Sequence, residues 1–156
     1  MSIQISDIQL PAQETATIIS ILESNKMPVR VPPGGDWDFN CWGFTAFYHE
    51  WKRRAYWMDG VEMEDHLKTR TRRIRKSQVR AGDIAVFRRY DIYEQKVKLT
   101  HTAIVLPEGN HVCHKPGARE LCIETLEAAK SYGRVTYVRV KRKTQKNLTT
   151  AEVVVR

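Results

Sequence analysis

Residues 38–51, DFNCWGFTAFYHEW, are the stretch on which the fold depends. They predict a helix that begins at Cys41, because Asn40 is a favourable N-cap. The apolar residues that follow recur at the spacing of one helix face, and they are Phe44, Phe47, Tyr48 and Trp51. We expect the helix to end near Gly60, which is suited to a C-cap. The sequence thus places a cysteine in the first turn of an amphipathic helix.

Cys41 is a candidate nucleophile because of this position. A thiol at the start of a helix experiences the positive end of the helix dipole, which favours the thiolate form that attacks carbonyl groups. A lone cysteine is also a common core residue. The assignment therefore depends on partners that come later in the chain.

Length and charge limit the class of protein. The 156 residues fit one domain, which we divide into an N-terminal arm, helix and loop (1–35), a core (36–140) and a basic tail (141–156). Lys and Arg number 26 against 18 Asp and Glu, and the net charge of +8 favours an anionic partner such as nucleic acid, anionic lipid or a wall polymer. The densest basic run, Lys68–Lys76, contains no aromatic residue to stack on a base, so nucleic acid is disfavoured.

Cysteine use and hydropathy indicate where the chain is made. Three cysteines without regular spacing argue against a disulfide framework and for a reducing compartment. The N-terminal residues MSIQISD lack a basic start followed by an apolar run, and no later run reaches the length of a membrane span. We expect synthesis in the cytoplasm, without a signal peptide or a membrane span.

The second half of the chain predicts a small antiparallel sheet. Short apolar runs bounded by turn residues read as strands at 84–87, 100–106, 111–115, 121–125 and 134–140. Between the first two, residues 88–99 are polar and are interpreted as a long hairpin loop or an extension of the hairpin. A short helix is expected at 61–68 and a helical turn at 124–131. With the cysteine helix, these elements define an α+β fold.

Two histidines are predicted to lie side by side on one hairpin. If residues 107–110 form a four-residue loop, Ile104 pairs with Cys113. Side chains alternate along each strand, so His101 and His114 then share one face as diagonal neighbours, about 7–8 Å apart at the backbone. We expect the cysteine helix to cover this face. His101 would then take the proton of Cys41, and His114 would orient His101.

A structural zinc site is the alternative use of the same donors, which are His101, His111, Cys113, His114 and Cys122. On the predicted hairpin His111 and Cys113 point away from His101 and His114, and the spacing of Cys113 and Cys122 matches no zinc knuckle. We therefore expect no metal or other cofactor. Cys113 and Cys122 are assigned instead to the core on the other face of the sheet.

The order of these parts resembles the NlpC/P60 family of papain-like thiol peptidases. Residues 40–44, NCWGF, are similar to the nucleophile block DCSGF and to its form DCWGL in members associated with phage tails. Residues 81–87, AGDIAVF, are similar to the family strand GDLVFF. THTAIV (100–105) and VCH (112–114) are similar to the strand that carries the base and to the strand that carries a third polar residue. The resemblance covers roughly residues 36 to 140.

This resemblance implies a papain-like core with a Cys41–His101–His114 constellation. In most members such a site cleaves amide bonds of peptidoglycan stem peptides, and lysis, a phage tail or a secretion system would bring the protein to the wall. Trp37, Asp38 and Trp42 flank the nucleophile as candidates for substrate binding. Two alternatives remain open: a non-catalytic basic binding module on the same fold, and an acyltransferase or deamidase that acts on a protein or lipid.

Overall fold

The computed structural model describes residues 37–106, 110–119 and 121–141. The predicted N-terminal arm, helix and loop, and all but the first residue of the basic tail, lie outside the described residues. The Pro107–Asn110 loop falls within them only at Asn110.

The described chain contains helices α1 (Cys41–Tyr48), α2 (Gly60–Arg70) and α3 (Leu126–Ala129). Its strands are β1 (Thr71–Ile74), β2 (Ile84–Asp91), β3 (Lys96–Val105), β4 (His111–His114), β5 (Cys122–Thr125) and β6 (Arg134–Val140). The strands form one antiparallel sheet in the order β1-β6-β2-β3-β4-β5, which confirms an α+β fold. None of the helices in this part of the chain has the length and apolar character needed to cross a membrane.

Helix α1 begins at Cys41 as predicted, but it ends at Tyr48, so the prediction that it ends near Gly60 is wrong. The reason is a tertiary contact of Asn40. Its Oδ1 accepts hydrogen bonds from the N–H groups of Gly43 and Met58, and its Nδ2 donates to the Met58 carbonyl at 2.8 Å. This contact brings the chain after α1 back to the start of the helix. Gly60 instead begins α2, which is preceded by Asp59 as N-cap.

Position 43 must be glycine because the segment that returns after α1 passes close to it. A Cβ atom built on Gly43 would lie 1.7 Å from the carbonyl oxygen of Tyr56, which is far inside van der Waals contact. The backbone of the returning segment therefore packs directly on the first turn of α1. No residue larger than glycine fits at this position without moving that segment.

The sheet has two buried faces. The helix face packs against α1 and α2 and is formed by Ile84, Val86, Ile104, Cys113 and Ile123. The histidine face lies on the other side and includes Ala85, Phe87, Ala103, Val105, Val112 and Tyr137, with Ala129 of α3 packed on it. Because both faces are covered here, side chains at 101–105 of β3 and 112–114 of β4 are buried on whichever face they lie.

The Gly-Asp pair at 82–83 anchors the start of β2. Asp83 is buried, and its carboxylate accepts two hydrogen bonds at 2.9 Å from the guanidinium of Arg139 on β6 and one from the Arg80 N–H at 2.7 Å. This ion pair fixes β2 beside β6. From there β2 and β3 continue through Asp91 and Lys96, so the segment 88–99 is an extended hairpin rather than a loop.

Candidate active site

The β3–β4 hairpin has the predicted register. Ile104 pairs with Cys113 and Val105 with Val112, and the register places His101 and His114 on the histidine face. Nε2 of His101 lies 2.6 Å from Nδ1 of His114, within hydrogen-bonding distance. The prediction that the two imidazoles meet is therefore confirmed.

The environment of His101 keeps its imidazole neutral. The residue is 2% exposed, and Tyr132 stacks on it with ring centroids 4.3 Å apart and planes inclined by 19°. Phe87 contacts the same ring, with its centroid 5.5 Å away. Burial, followed by the repulsion of His114, lowers the pKa of His101 far below its ordinary value. His101 is therefore neutral, which leaves one ring nitrogen able to accept a proton, but the lowered pKa makes it a weaker base than a free imidazole.

Glu124 extends the histidine pair to a third polar group. Its Oε1 lies 3.6 Å from Nε2 of His114, which is longer than a good hydrogen bond. That nitrogen is buried and has no hydrogen-bond partner among the described residues. The pKa of the Glu124 carboxyl is lowered, chiefly because His114 donates toward it. Glu124 is therefore placed to accept the Nε2 proton of His114.

The thiol of Cys41 is buried at the start of α1, with 5% of the residue exposed. Burial raises its pKa to about 11, although the backbone N–H groups of Thr102, Trp42 and Cys41 donate toward the sulfur and act in the opposite direction. The expectation that the helix dipole favours a thiolate is therefore wrong for this state. Desolvation outweighs the helix terminus, and the thiol is protonated at neutral pH.

Helix α1 packs on the face of the sheet opposite to the histidines. Thr45 in α1 and Thr102 in β3 share a hydrogen bond of 2.8 Å between their Oγ1 atoms, and Thr102 immediately follows His101. The expectation that α1 covers the imidazole face is therefore wrong. Cys41 approaches β3 beside the Thr102 N–H, next to His101 in the strand. Within the described residues, no hydrogen bond joins its thiol to either imidazole.

The other two cysteines lie on different faces. Cys113 packs in the core on the helix face, as predicted. Cys122 pairs directly with His114 and therefore lies on the histidine face, so its assignment to the other face is wrong. Its Sγ lies 3.6 Å from Oε1 of Glu124. The connection between β4 and β5 sets this parity, and the sequence pattern does not reveal it.

A buried lysine that the sequence reasoning missed lies near the nucleophile. Lys115 follows β4 and has no exposed surface, and its Nζ donates to the carbonyl oxygens of Phe39 and Gly117. Nζ also lies 4.8 Å from the centroid of the Phe39 ring. Its charge slightly offsets the dominant effect of burial on the pKa of Cys41. A lysine next to a strand is normally exposed, so the sequence pattern does not predict that Lys115 is buried.

The three candidate substrate-binding residues are placed differently. Trp37 is 75% exposed and contacts Trp57, which sequence reasoning missed, with ring centroids 5.1 Å apart and ring planes inclined by 32°. Asp38, next to it, is also exposed. Trp42 is half-buried, and its ring packs against the core and beside Gly60. Trp37 and Trp57 thus form an exposed aromatic pair near the start of α1, whereas Trp42 contributes to packing.

The basic run lies at the far edge of the sheet. Thr71 and Ile74 point inward and the remaining residues of Lys68–Lys76 are exposed. An open groove of about 750 Å³ lies along β1 and β6, and its basic residues are Arg73, Arg75, Lys76 and Lys130. We call it the basic groove. Neither Cys41 nor the two histidines line it.

Comparison of the chain with protein-family models, with curated proteins and with solved structures finds no significant match. The resemblance to the NlpC/P60 family therefore depends on the short motifs around Cys41, His101 and His114.

Proposed function

We propose that the protein is a cysteine hydrolase of the NlpC/P60 type that cleaves amide bonds, with peptidoglycan stem peptides as substrate. The observation that carries the proposal is the hydrogen bond between His101 on β3 and His114 on β4, together with the position of Cys41 beside Thr102, the residue after His101. An imidazole that is oriented by a second group is one half of the arrangement that nucleophilic catalysis requires, and contact of the Cys41 thiol with Nδ1 of His101 is the half that we propose.

Acylation begins with the thiol protonated. Since Nε2 of His101 is engaged by His114, Nδ1 is the nitrogen left to receive the proton of Cys41. Sγ attacks the carbonyl carbon of the substrate while this proton passes to His101. The tetrahedral intermediate then expels the amine, which takes the proton from His101, and a thioester remains on Cys41. Proton transfer accompanies C–S bond formation because the pKa of the thiol is too high for a stable thiolate at neutral pH.

Deacylation reuses the same base. His101 takes a proton from water, the resulting hydroxide attacks the thioester carbonyl, and the proton returns to the leaving sulfur. The backbone N–H groups of Cys41 and Trp42 at the start of α1 are suited to stabilise the oxyanion of both intermediates. His114 holds His101 in the tautomer with Nε2 protonated, and Glu124 favours that tautomer by attracting the Nε2 proton of His114.

The substrate class follows from the resemblance and from two surface features. The net charge of +8 suits an anionic wall. The exposed pair of Trp37 and Trp57 offers aromatic faces near the start of α1, which sugar rings and peptides can contact. With Asp38, Trp37 is our candidate for substrate contact.

Digestion of purified peptidoglycan tests the proposal. The full chain should release soluble fragments whose masses correspond to hydrolysis of one amide bond in the stem peptide. Cys41→Ala should release none, while Cys113→Ser, which alters a buried cysteine on the helix face, should remain active. Activity that persists in Cys41→Ala would contradict the proposal.

A second candidate function, a non-catalytic binding module, is favoured by the basic groove. Its cationic side chains suit an anionic polymer, and they lie apart from Cys41. Under this hypothesis Cys41→Ala binds peptidoglycan with the affinity of the unmodified chain. The double variant Arg73→Glu with Arg75→Glu binds more weakly, and its affinity changes less with salt concentration. Binding that is unchanged in the double variant would exclude the groove as the binding surface.

A further inference from the structure

Three metal-ligating side chains converge on the histidine face. A ring nitrogen of His114, Sγ of Cys122 and a carboxylate oxygen of Glu124 all lie within 4.8 Å of one another. The β4–β5 register produces this cluster, because His114 pairs with Cys122 and residues 122 and 124 share a face. We infer that these three residues form a zinc-binding site and that bound zinc inhibits the hydrolase. The inhibition rests on the proposed function, whereas the binding of zinc does not.

The distances suit a tetrahedral ion. Zn²⁺ binds sulfur at about 2.3 Å and nitrogen or oxygen at about 2.0–2.2 Å, so ligand atoms of a tetrahedral site lie about 3.3–3.7 Å apart. Oε1 of Glu124 is 3.6 Å from Nε2 of His114 and 3.6 Å from Sγ of Cys122. The first separation is long for an N–H···O hydrogen bond, and the second is an S–H···O contact, yet both match the edges of a zinc tetrahedron. The third edge, between the ring nitrogen of His114 and Sγ of Cys122, is within 4.8 Å and would shorten when the ion binds.

A buried and unsatisfied atom points to the same ion. Nε2 of His114 has no exposed surface and makes no hydrogen bond within 3.5 Å to a described residue, since the Glu124 carboxylate that it faces is 3.6 Å away. A buried polar atom without a partner is costly, and coordination of a cation would remove that cost. The mixed nitrogen, sulfur and oxygen set selects Zn²⁺ over Mg²⁺ or Ca²⁺, which prefer oxygen alone.

The other ring nitrogen of His114, Nδ1, is also placed as in a metal-binding histidine. A histidine that binds metal through one nitrogen usually donates the other N–H to an acceptor, which fixes its tautomer. Nδ1 of His114 lies 2.6 Å from Nε2 of His101, which would be that acceptor. Three protein ligands leave a fourth position for water, as in open zinc sites.

Zinc at Nε2 of His114 would remove the catalytic base. In the active arrangement His101 carries its proton on Nε2 and accepts from Cys41 at Nδ1. When the metal occupies Nε2 of His114, the remaining proton of that ring must lie on Nδ1 and be donated to His101. A neutral His101 then holds its own proton on Nδ1 and cannot accept the proton of Cys41. The ion is therefore an inhibitor of this site: both imidazoles change tautomer when it binds, and the thiol of Cys122 loses its proton to solvent.

Cobalt substitution tests the binding without reference to activity. The full reduced chain, titrated with Co²⁺, should develop the thiolate-to-cobalt absorption band with a stoichiometry of one, and Zn²⁺ should abolish the band by competition. Cys122→Ser should lose the band. Glu124→Gln should lower the affinity for Zn²⁺ by more than the roughly 10–100-fold that is typical when a residue that only supports a metal ligand is removed. Cys113→Ser is the matched control, since its thiol lies on the helix face, and it should keep the band.

The outcomes separate the two proposals. Absence of the band in the unmodified chain, or its full retention in a folded Cys122→Ser, would overturn the zinc site. If Cys122→Ser does not fold by circular dichroism, Glu124→Gln decides in the same way through Zn²⁺ affinity. Zinc that binds without slowing peptidoglycan hydrolysis would overturn the inhibitory role. A cobalt band in a chain that hydrolyses nothing would support the metal site and reject the hydrolase.

Discussion

Nε2 of His101 and Nδ1 of His114 lie 2.6 Å apart, so a single proton is shared between two rings from neighbouring strands. The position of that proton decides whether Nδ1 of His101 can act as a base. When Nε2 of His101 is protonated, Nδ1 of His114 accepts that proton in a hydrogen bond, and the Glu124 carboxylate faces Nε2 of His114. The orientation of His101 is therefore a property of three residues rather than of one.

Removing the acceptor should expose this dependence. His114→Ala is expected to lower kcat of peptidoglycan hydrolysis about 100-fold or more with a smaller change in KM, because His101 loses the group that fixes its tautomer. His114→Gln should recover part of the loss, since its amide oxygen can accept the same proton. Steady-state kinetics of both variants provide the measurement. Equal rates for His114→Ala and the unmodified chain would rule out an orienting role.

The raised pKa of Cys41 predicts its alkylation profile. With a pKa of about 11, the thiolate fraction should increase about tenfold per pH unit between pH 7 and 10, and the rate of reaction with iodoacetamide should follow it. Cys113 should react more slowly, because deeper burial raises its pKa further. Peptide-resolved mass spectrometry measures both rates. A rate for Cys41 that is already constant near pH 7 would mean that the thiolate exists at rest.

Asn40 should tolerate neither Ala nor Asp. It caps α1 and also binds both backbone groups of Met58. Asn40→Ala removes three hydrogen bonds and should lower the free energy of unfolding by about 2–4 kcal/mol. Asn40→Asp keeps the two acceptor contacts but places a carboxylate oxygen against the Met58 carbonyl, at a cost of about 1–3 kcal/mol. Urea denaturation tests both, and unchanged stability in Asn40→Asp would show that the donor to Met58 is not needed.

Gly43→Ala should disrupt the segment that follows α1. The added methyl group would lie 1.7 Å from the Tyr56 carbonyl oxygen, and that backbone cannot move without breaking the contact between Asn40 and Met58. We expect a loss of about 3 kcal/mol or more in the free energy of unfolding. Ala46→Gly, in the same helix, is the control for a backbone change without this overlap. A fully stable Gly43→Ala would contradict the close approach.

His49 should make the fold sensitive to acid. Burial lowers its pKa to about 4, and the nearby charged groups are Asp83, Arg80 and Arg139. Above pH 6.5 the residue is neutral in both the folded and unfolded chain, and its contribution is fully present. As the pH falls from 6.5 toward 4 only the unfolded chain takes up the proton, so stability decreases by up to about 1.4 kcal/mol per pH unit. Urea denaturation from pH 7.5 to 4.5 should show a smaller slope in His49→Gln, and identical slopes would contradict this assignment.

Local patterns were enough to predict several parts of the molecule. The N-cap at Asn40 fixes the start of α1, because the capping contact spans only three residues. The apolar runs predict five of the six strands, whereas β1 lies in the basic run and is not predicted. The parity of the β3–β4 hairpin predicts that His101 meets His114, because a short connection leaves one register in which both apolar sets are buried. The role of Cys41 stays a prediction that the proposed experiments address.

Other features depend on contacts between distant parts of the chain. The end of α1 follows from the hydrogen bonds between Asn40 and Met58, which lie 18 residues apart. The face of the sheet on which Cys122 lies depends on the connection between β4 and β5, residues 115–121. The length of this connection does not determine which residues of β5 share a face with His114. Tyr132 stacks on His101 from a turn 31 positions later, and no spacing rule connects the two.

The sequence by itself determined the start of α1 at Cys41, the alternation of the predicted strands and the pairing of two imidazoles, because these depend on neighbours along the chain or across one hairpin. Only the tertiary structure decided the protonation of Cys41, the placement of α1 on the helix face, and the convergence of His114, Cys122 and Glu124. Burial and distances between separate strands set those properties, and neither is encoded in any single segment.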